Sequence, residues 1–319
     1  MQIVSSLQEL SNVLAGESFI ATMGFFDGVH AGHRELVSRL SERALSEGVK
    51  SVILALDRPW SVAVRPDLPR LKLLSSLRKK VNLLASLPGD ILFLIPFTKE
   101  VAAQDAEPFL RPLIERGLKG MVLGYDNRFG QAENDLPFPL FDSLLTSLGL
   151  AVERIPQFAV DGVPVSSSTI RSLISRGAFE EAEKLLSRPF SLIGEVSGGR
   201  QIGRTISYPT ANIVPIEPDI ILPEDGVFVS EVRVEDQVYP SMSYYGPSPT
   251  VAGADGPRRI EAYLFGFHGN LYGKQAEIAF RHRLRDDKEF ASLDALKAQL
   301  KLDEEAARAF FRTHPLYLA

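Results

Sequence analysis

The chain of 319 residues contains no cysteine. This excludes a disulfide framework, a cysteine nucleophile and thiolate metal sites. It has a single Trp, at position 60, and no apolar run long enough to span a bilayer. Its opening, M-Q-I-V-S-S-L-Q-E-L, lacks the basic start and long apolar stretch of a secretory signal. There is no basic excess either: 35 Lys and Arg face 40 Asp and Glu, a formal net charge of −5. That argues against nucleic acid as the main partner. Internal repeats and low-complexity tracts are also missing. These absences leave a cytoplasmic protein with neither membrane nor nucleic-acid partners as the expectation. What is present is 45% hydrophobic residues and a length suited to two domains.

The pattern changes partway along. Up to about residue 186, short apolar runs at 19–26, 51–56, 91–97, 120–124 and 151–155 alternate with helical periods at 35–47, 73–87, 107–116 and 140–148. Such alternation predicts a parallel sheet with helices on both faces, whose ligands bind outside the carboxyl ends of the strands. Residues 173–186 read as one or two amphipathic helices interrupted by Gly177, and Arg188-Pro189 marks a linker. Beyond it, strand-like alternation at 190–196, 227–234, 238–244, 260–267 and 276–280 predicts a small all-β barrel. Asp236-Gln237 and Gly269-Asn270 read as hairpin turns, and 292–311 as a closing helix. The expected domains are therefore 1–186 and 187–319.

The first apolar run breaks into G-F-F-D-G-V-H-A-G-H, residues 24–33, and a helical pattern begins near Gly32. A strand, a glycine turn and a helix N-terminus form the geometry that receives phosphates. Gly24, Gly28 and Gly32 let the backbone approach a ligand. His30 and His33, three apart, can reach one side of that site and each offers at least one N–H. A helix-capping turn with two surface histidines is the plainer reading. A zinc site is a third, but it lacks cysteine and further clustered histidines.

Two later stretches add chemistry. Gly198, Gly199 and Gly203 with Arg200 and Arg204 make a flexible basic loop suited to nucleotide phosphates. It leads into P-T-A-N, where Thr210 and Asn212 lie two apart on an extended segment and face one way. A hydroxyl and an amide oxygen are hard ligands that suit Mg²⁺ on ATP phosphates.

The string G-F-F-D-G-V-H-A-G-H resembles the nucleotidyltransferase signature of the bifunctional riboflavin kinase/FAD synthetase family, and P-T-A-N resembles its kinase signature. The resemblance runs through both halves in the same motif order. G-Y-D-N-R-F-G at 124–130 is similar to the family's G-x-D-F-x-F-G, and V-S-S-S-T-I-R at 165–171 to its S-S-T-x-I-R. The resemblance implies a Rossmann-like α/β nucleotidyltransferase domain, acting as FMN adenylyltransferase, followed by the riboflavin kinase barrel. It implies ATP as co-substrate, Mg²⁺ as cofactor, and riboflavin and FMN as partners. Gly24, Phe26, Asp27, Gly28, Gly32, Ser167 and Ser168 would serve the nucleotide of the first half, with His30, His33 and Arg171 catalytic. Gly199, Gly203 and Arg204 would serve the nucleotide of the second half, with Thr210 and Asn212 on the metal. Asp126, Asn127 and Arg285 would hold flavin, and Glu261 would be the general base for the ribityl hydroxyl.

The chain departs from the family's strings in places. A-L-D-R-P-W at 55–60 stands where T-F-x-P-H-P is usual, so a histidine is missing and Trp60 sits beside a proline. Ser207 replaces a glycine, and Y-Y-G-P-S-P-T at 244–250 lacks the asparagine and arginine of N-I-G-x-R-P-T. Arg281, His282, Arg283 and Arg285 have a solvated basic face as their plain alternative. A kinase with a degenerate first half and a non-catalytic flavin-binding regulator remain alternative functions.

Overall fold

The computed structural model describes residues 1–59, 62, 69–125, 127, 138–198, 208–247 and 258–318. Trp60, Asp126, Arg128, Gly199, Arg200, Gly203, Arg204 and Ser207 lie outside the described residues, as do 248–250 of the Y-Y-G-P-S-P-T string. Two compact units emerge: Met1–Leu71 with Leu77–Ser167, and Lys72–Ser76 with Ser168–Ala319.

In the first unit, β1 (Gln2–Val4), β2 (Phe19–Gly24), β3 (Lys50–Leu56), β4 (Ile91–Ile95), β5 (Leu118–Leu123) and β6 (Ala151–Arg154) form a parallel sheet. Its order is β1-β4-β3-β2-β5-β6. The helices are α1 (Leu7–Leu14), α2 (Ala31–Glu47), α3 (Leu77–Ala85), α4 (Lys99–Ala102), α5 (Ala106–Ile114) and α6 (Phe138–Ser147). The central strands β2, β3 and β4 are almost wholly buried and mostly apolar because both faces are covered, whereas the edge strand β6, A-V-E-R, is not. Phe19, Ala21, Met23, Val52 and Leu54 pack with Leu10, Leu110, Phe141 and Leu145 on one face. Ile20, Ile53 and Ala55 pack with Leu36, Val37, Leu40 and Leu84 on the other. The strand order reverses at β2, which has β3 on one side and β5 on the other. The carboxyl end of β2 is thus the switch point at which such sheets open a crevice.

The first strand stops at Gly24 rather than running to residue 26, because Phe26 turns into the left-handed region at φ 55°. Helix α2 begins at Ala31, one residue before the expected start near Gly32, and is capped by His30. β1 and the single turn α4 lay outside the expected elements, each too short to show a period; α1 lay outside them as well, although Leu7, Leu10 and Leu14 repeat at helical spacing. The expected helix at 73–87 is cut to Leu77–Ala85, because Leu73 instead makes a parallel bridge to Ile220 in the second unit. A small hairpin joins β7 (Ala159–Val160) to β8 (Val163–Pro164) through Asp161 and Gly162, at φ 51° and 77°, the backbone a type I′ turn needs.

After α7 (Ser167–Ser175) and α8 (Phe179–Leu186), the second unit is a closed antiparallel barrel. Its strands are β9 (Phe190–Ser197), β10 (Ala211–Pro215), β11 (Gly226–Val234), β12 (Gln237–Pro247), β13 (Arg258–Leu264) and β14 (Gln275–Asp286). They run β10-β13-β12-β11-β14-β9 and close by pairing β9 with β10. α9 (Leu293–Thr313) packs Ala307 against Val229, Met242 and Phe265. The β11–β12 turn is Glu235-Asp236, one residue earlier than expected, with Val234 paired to Gln237 and Glu235 at φ 55°. Gly269-Asn270 is not a hairpin turn: β13 pairs with β10 and β12, and β14 with β11 and β9, so the segment between them crosses over.

Candidate active sites

In the first unit the loops that follow the central strands carry the motifs. After β2 the backbone is forced. Phe26, Gly28 and Val29 have φ of 55°, 77° and 43°. Only glycine accepts this freely, and a β-branched residue there is an outlier. Each such non-glycine residue costs about 1–3 kcal/mol and persists only where its surroundings impose it. Gly24 has a Phe26 ring atom 3.3 Å from where a Cβ would stand, so a side chain there would crowd the ring.

The turn delivers two stacked imidazoles. The ring centroids of His30 and His33 are 3.6 Å apart, with planes 13° from parallel. The edge of Phe26 lies 5.1 Å from the His33 ring. The backbone N–H of His33 donates to Nδ1 of His30 at 3.3 Å, so His30 is the helix cap and that nitrogen is unprotonated. Both rings are largely withdrawn from solvent, and Nδ1 of His33 is buried with no hydrogen-bond partner. Burial first, then the neighbouring His30 ring and the Lys80 ammonium, holds His33 well below the usual imidazole range. His33 is therefore a neutral ring offering one N–H, and the charged form considered from sequence is disfavoured here. The reading of two surface histidines fails on burial. Among the described residues no group of three or more His, Asp or Glu side chains that could hold a metal ion occurs.

Asp27 is buried within the same turn, and its carbonyl accepts from the Ser167 hydroxyl at 3.2 Å. The structure thus joins the serine string to the histidine loop at Ser167. Ser168 and Arg171 continue α7 and count with the second unit, where Arg171 Nε donates to the Lys72 carbonyl at 2.7 Å. Asn127 is bound to backbone: its Oδ1 accepts from Gly124 N, and its Nδ2 donates to Met23 O, both at 2.8 Å. It ties the ends of β2 and β5. Arg154 buttresses the same loop through the Gly124 and Asn127 carbonyls and an ion pair with Asp142.

Lys80 was not anticipated. It is 2% exposed, and its Nζ donates to the carbonyls of Leu56 at 2.6 Å and Phe25 at 3.1 Å. Burial pulls it down to about 8, against the pull of Asp27 and Asp57. Its one signal in the sequence is position: it stands four residues before Leu84 on the buried stripe of α3. Asp57 accepts from Phe97 N at 2.8 Å and pairs with Arg58. Although burial opposes it, those partners hold its carboxyl below the usual range.

In the second unit, Asn212 on β10 lies opposite Glu261 on β13, and Glu261 lies opposite Tyr244 on β12. The Thr210 hydroxyl donates to Glu261 Oε2 at 3.2 Å. Asn212 is buried, and its Oδ1 has no hydrogen-bond partner. A buried acceptor left unpaired costs about 1–3 kcal/mol unless something binds it. A hydroxyl, a carboxamide oxygen and a carboxylate are hard donors, the set that suits Mg²⁺. Tyr244, standing where the family's asparagine would be, donates to Asp287 Oδ2 at 3.1 Å. Burial, then the Asp287 carboxylate, raises its phenol.

Arg285 is held by Asp303 of α9 through three hydrogen bonds of 2.9–3.1 Å. Its neighbours are engaged as well: Arg281 with Glu231, His282 with Glu180, and Arg283 with Asp286 and the Asp225 carbonyl. The solvated basic face is corrected to a set of paired groups. Glu231, fully buried, also accepts from the N–H groups of Tyr317 and Leu318 at 2.8 and 2.9 Å, which pins the chain's end to the barrel.

Two family models match, FAD synthetase over residues 14–169 and riboflavin kinase over 186–311. A bifunctional riboflavin kinase/FMN adenylyltransferase of Pseudomonas fluorescens is 32% identical over 97% of both chains. Its counterpart in Escherichia coli K12 is 32% identical over 98% of both. A solved Streptococcus pneumoniae structure, described as a macrolide-efflux protein, covers 96% of this chain and 98% of its own at 28% identity and a TM-score of 0.82. Among the described residues here no helix is long and apolar enough to cross a membrane. With both halves matched in order and its relatives aligned end to end, the chain belongs to the bifunctional riboflavin kinase/FMN adenylyltransferase family.

Proposed function

We propose that this chain converts riboflavin to FMN in its second half and FMN to FAD in its first, using one ATP at each step. The observation that carries the reading is the Thr210–Asn212–Glu261 cluster, with its unpaired buried carboxamide oxygen, in one chain with the stacked histidine pair. We place the functional boundary at 186/187, where the kinase family model also begins.

In the kinase step the riboflavin 5′-hydroxyl oxygen bonds to the γ-phosphorus of ATP as the bond to the β-phosphate oxygen breaks, releasing ADP. Glu261 takes the hydroxyl proton. Thr210 donates to Glu261, which keeps the carboxylate oriented. Thr210 and Asn212 would hold Mg²⁺, which when bound offsets negative charge on the phosphates.

In the adenylyl step an FMN phosphate oxygen bonds to the α-phosphorus of a second ATP, and pyrophosphate leaves. The imidazoles of His30, buried, and His33, half-buried, donate N–H to phosphate oxygens, with Arg171 adding charge. Donors fixed before reaction in a dry site need no reorganisation. Ser167 holds the Asp27 backbone of the same turn. Neither step needs a covalent enzyme intermediate.

The test is product analysis of the full-length protein with ATP-Mg²⁺, given riboflavin in one assay and FMN in another. FMN and FAD should form from riboflavin, and FAD from FMN. Accumulation of FMN with no FAD in either assay would leave a kinase with a degenerate first half.

A further inference from the structure

We propose that Lys80 is a positioning residue of the adenylyltransferase site, its ammonium clamping the carboxyl ends of β2 and β3 and so fixing the strained turn that carries His30 and His33. The proposal rests on the adenylyltransferase reading of the first unit.

The geometry is specific. β2 and β3 are neighbours in the sheet, and Nζ of Lys80 donates to one carbonyl at the end of each, Phe25 and Leu56. It also lies 4.0 Å from the centroid of the Phe25 ring. A lysine is seldom buried this fully without a partner, and here its partners are two backbone oxygens. The clamped Phe25 carbonyl immediately precedes the run of positive φ at Phe26, Gly28 and Val29. Phe26 then presents its ring edge to His33, which stacks on His30. A displacement at Phe25 therefore passes to the imidazoles through one residue.

The charge acts in the same direction. Lys80 senses Asp27 and Asp57, from the loops after β2 and β3, and Asp57 is itself paired with Arg58. His33, on α2, senses His30 and Lys80. A positive charge near His33 disfavours imidazolium, so Lys80 helps to keep that ring neutral. As pH rises past about 8, Lys80 loses its proton. The ammonium's attraction for the two carbonyls and its effect on His33 then fade together.

The experiment compares full-length wild type, Lys80→Met and Lys80→Arg. FAD formation from FMN is measured across neutral and alkaline pH. FMN formation from riboflavin reports on the rest of the chain, and the His33 imidazole is titrated by NMR. Lys80→Met should lower kcat for FAD formation by about 10²-fold, the cost of misplacing catalytic groups by about an ångström, with KM for ATP little changed. FMN formation should persist, and the His33 midpoint should move upward. Lys80→Arg keeps its charge at high pH, so it should lose the alkaline fall in FAD formation that wild type shows above about pH 8. A folded Lys80→Met protein that makes FAD at the wild-type rate overturns the proposal, as does an unmoved His33 midpoint. If Lys80→Met does not fold, an alkaline fall in Lys80→Arg that matches wild type overturns it. If wild type itself makes no FAD, the adenylyltransferase reading fails, while the His33 titration still tests the clamp.

Discussion

Helix α8 should decide whether the kinase half folds alone, although it lies before the functional boundary at 186/187. It packs against β9 and β14 and buries Phe179, Ala182, Leu185 and Leu186, none more than 3% exposed. Phe179 stacks on Phe280 at 5.3 Å and meets Phe228 edge to face at 5.6 Å. Ahead of it, the Ser175 carbonyl accepts from Glu224 N at 2.6 Å. A fragment of residues 187–319 uncovers all of these surfaces; a fragment of residues 168–319 keeps them. Three large apolar side chains at about 1.5–3 kcal/mol each give roughly 5–9 kcal/mol of gross burial. That rivals the whole stability of an ordinary domain, about 5–15 kcal/mol. Both fragments lack Lys72–Ser76, so its bridge to Ile220 cancels in the comparison. In urea titrations followed by circular dichroism, the longer fragment should unfold cooperatively and phosphorylate riboflavin. The shorter should show no cooperative transition. In the full chain, Phe179→Ala should destabilise by about 3–5 kcal/mol. Equal urea midpoints for the two fragments would refute the reasoning.

Replacing His30 or His33 by Ala should lower FAD formation by about 10²–10³-fold while FMN formation continues; equal loss of both activities would dissolve the division of labour. Glu261→Gln should slow FMN formation by about 10²–10⁴-fold with ATP binding intact, and near wild-type turnover would make Glu261 a bystander. Asn212→Ala should raise the Mg²⁺ concentration needed for half-maximal FMN formation, read by titrating Mg²⁺ at fixed ATP. Glu231→Gln should cost about 3–5 kcal/mol in denaturant titrations, because it leaves the buried Arg281 with only the longer ion pair to Glu183, at 3.7 Å; an unchanged midpoint would show that water reaches the pair. Lys80 also sets a stability window: its folded value of about 8 lies below the ordinary 10.5, so the unfolded chain binds more protons between those values. The stability of wild type relative to Lys80→Met should therefore rise with pH across that window, measured as the difference in Tm.

The sequence by itself determined the class of each half. Apolar runs alternating with helical periods require a parallel sheet covered on both faces, and period-2 alternation requires strands with one buried face, because side-chain direction follows backbone geometry. The motifs were equally legible, since glycines, histidines and P-T-A-N are local chemistry at local spacing. Only the tertiary structure decided the rest. The reversal of strand order at β2 depends on pairing between distant segments, which periodicity does not encode. The neutral state of His33 depends on burial and on Lys80, 47 residues away in a helix whose pattern marks it only as an anomaly. The motif around Arg285 does not reveal that its guanidinium is held by Asp303 of the last helix. Asn212 and Glu261 are 49 residues apart, and they face each other because β10 and β13 pair in the closed barrel. Local spacing carries which groups are present; long-range packing sets their protonation and their partners, because both depend on what surrounds a side chain in space.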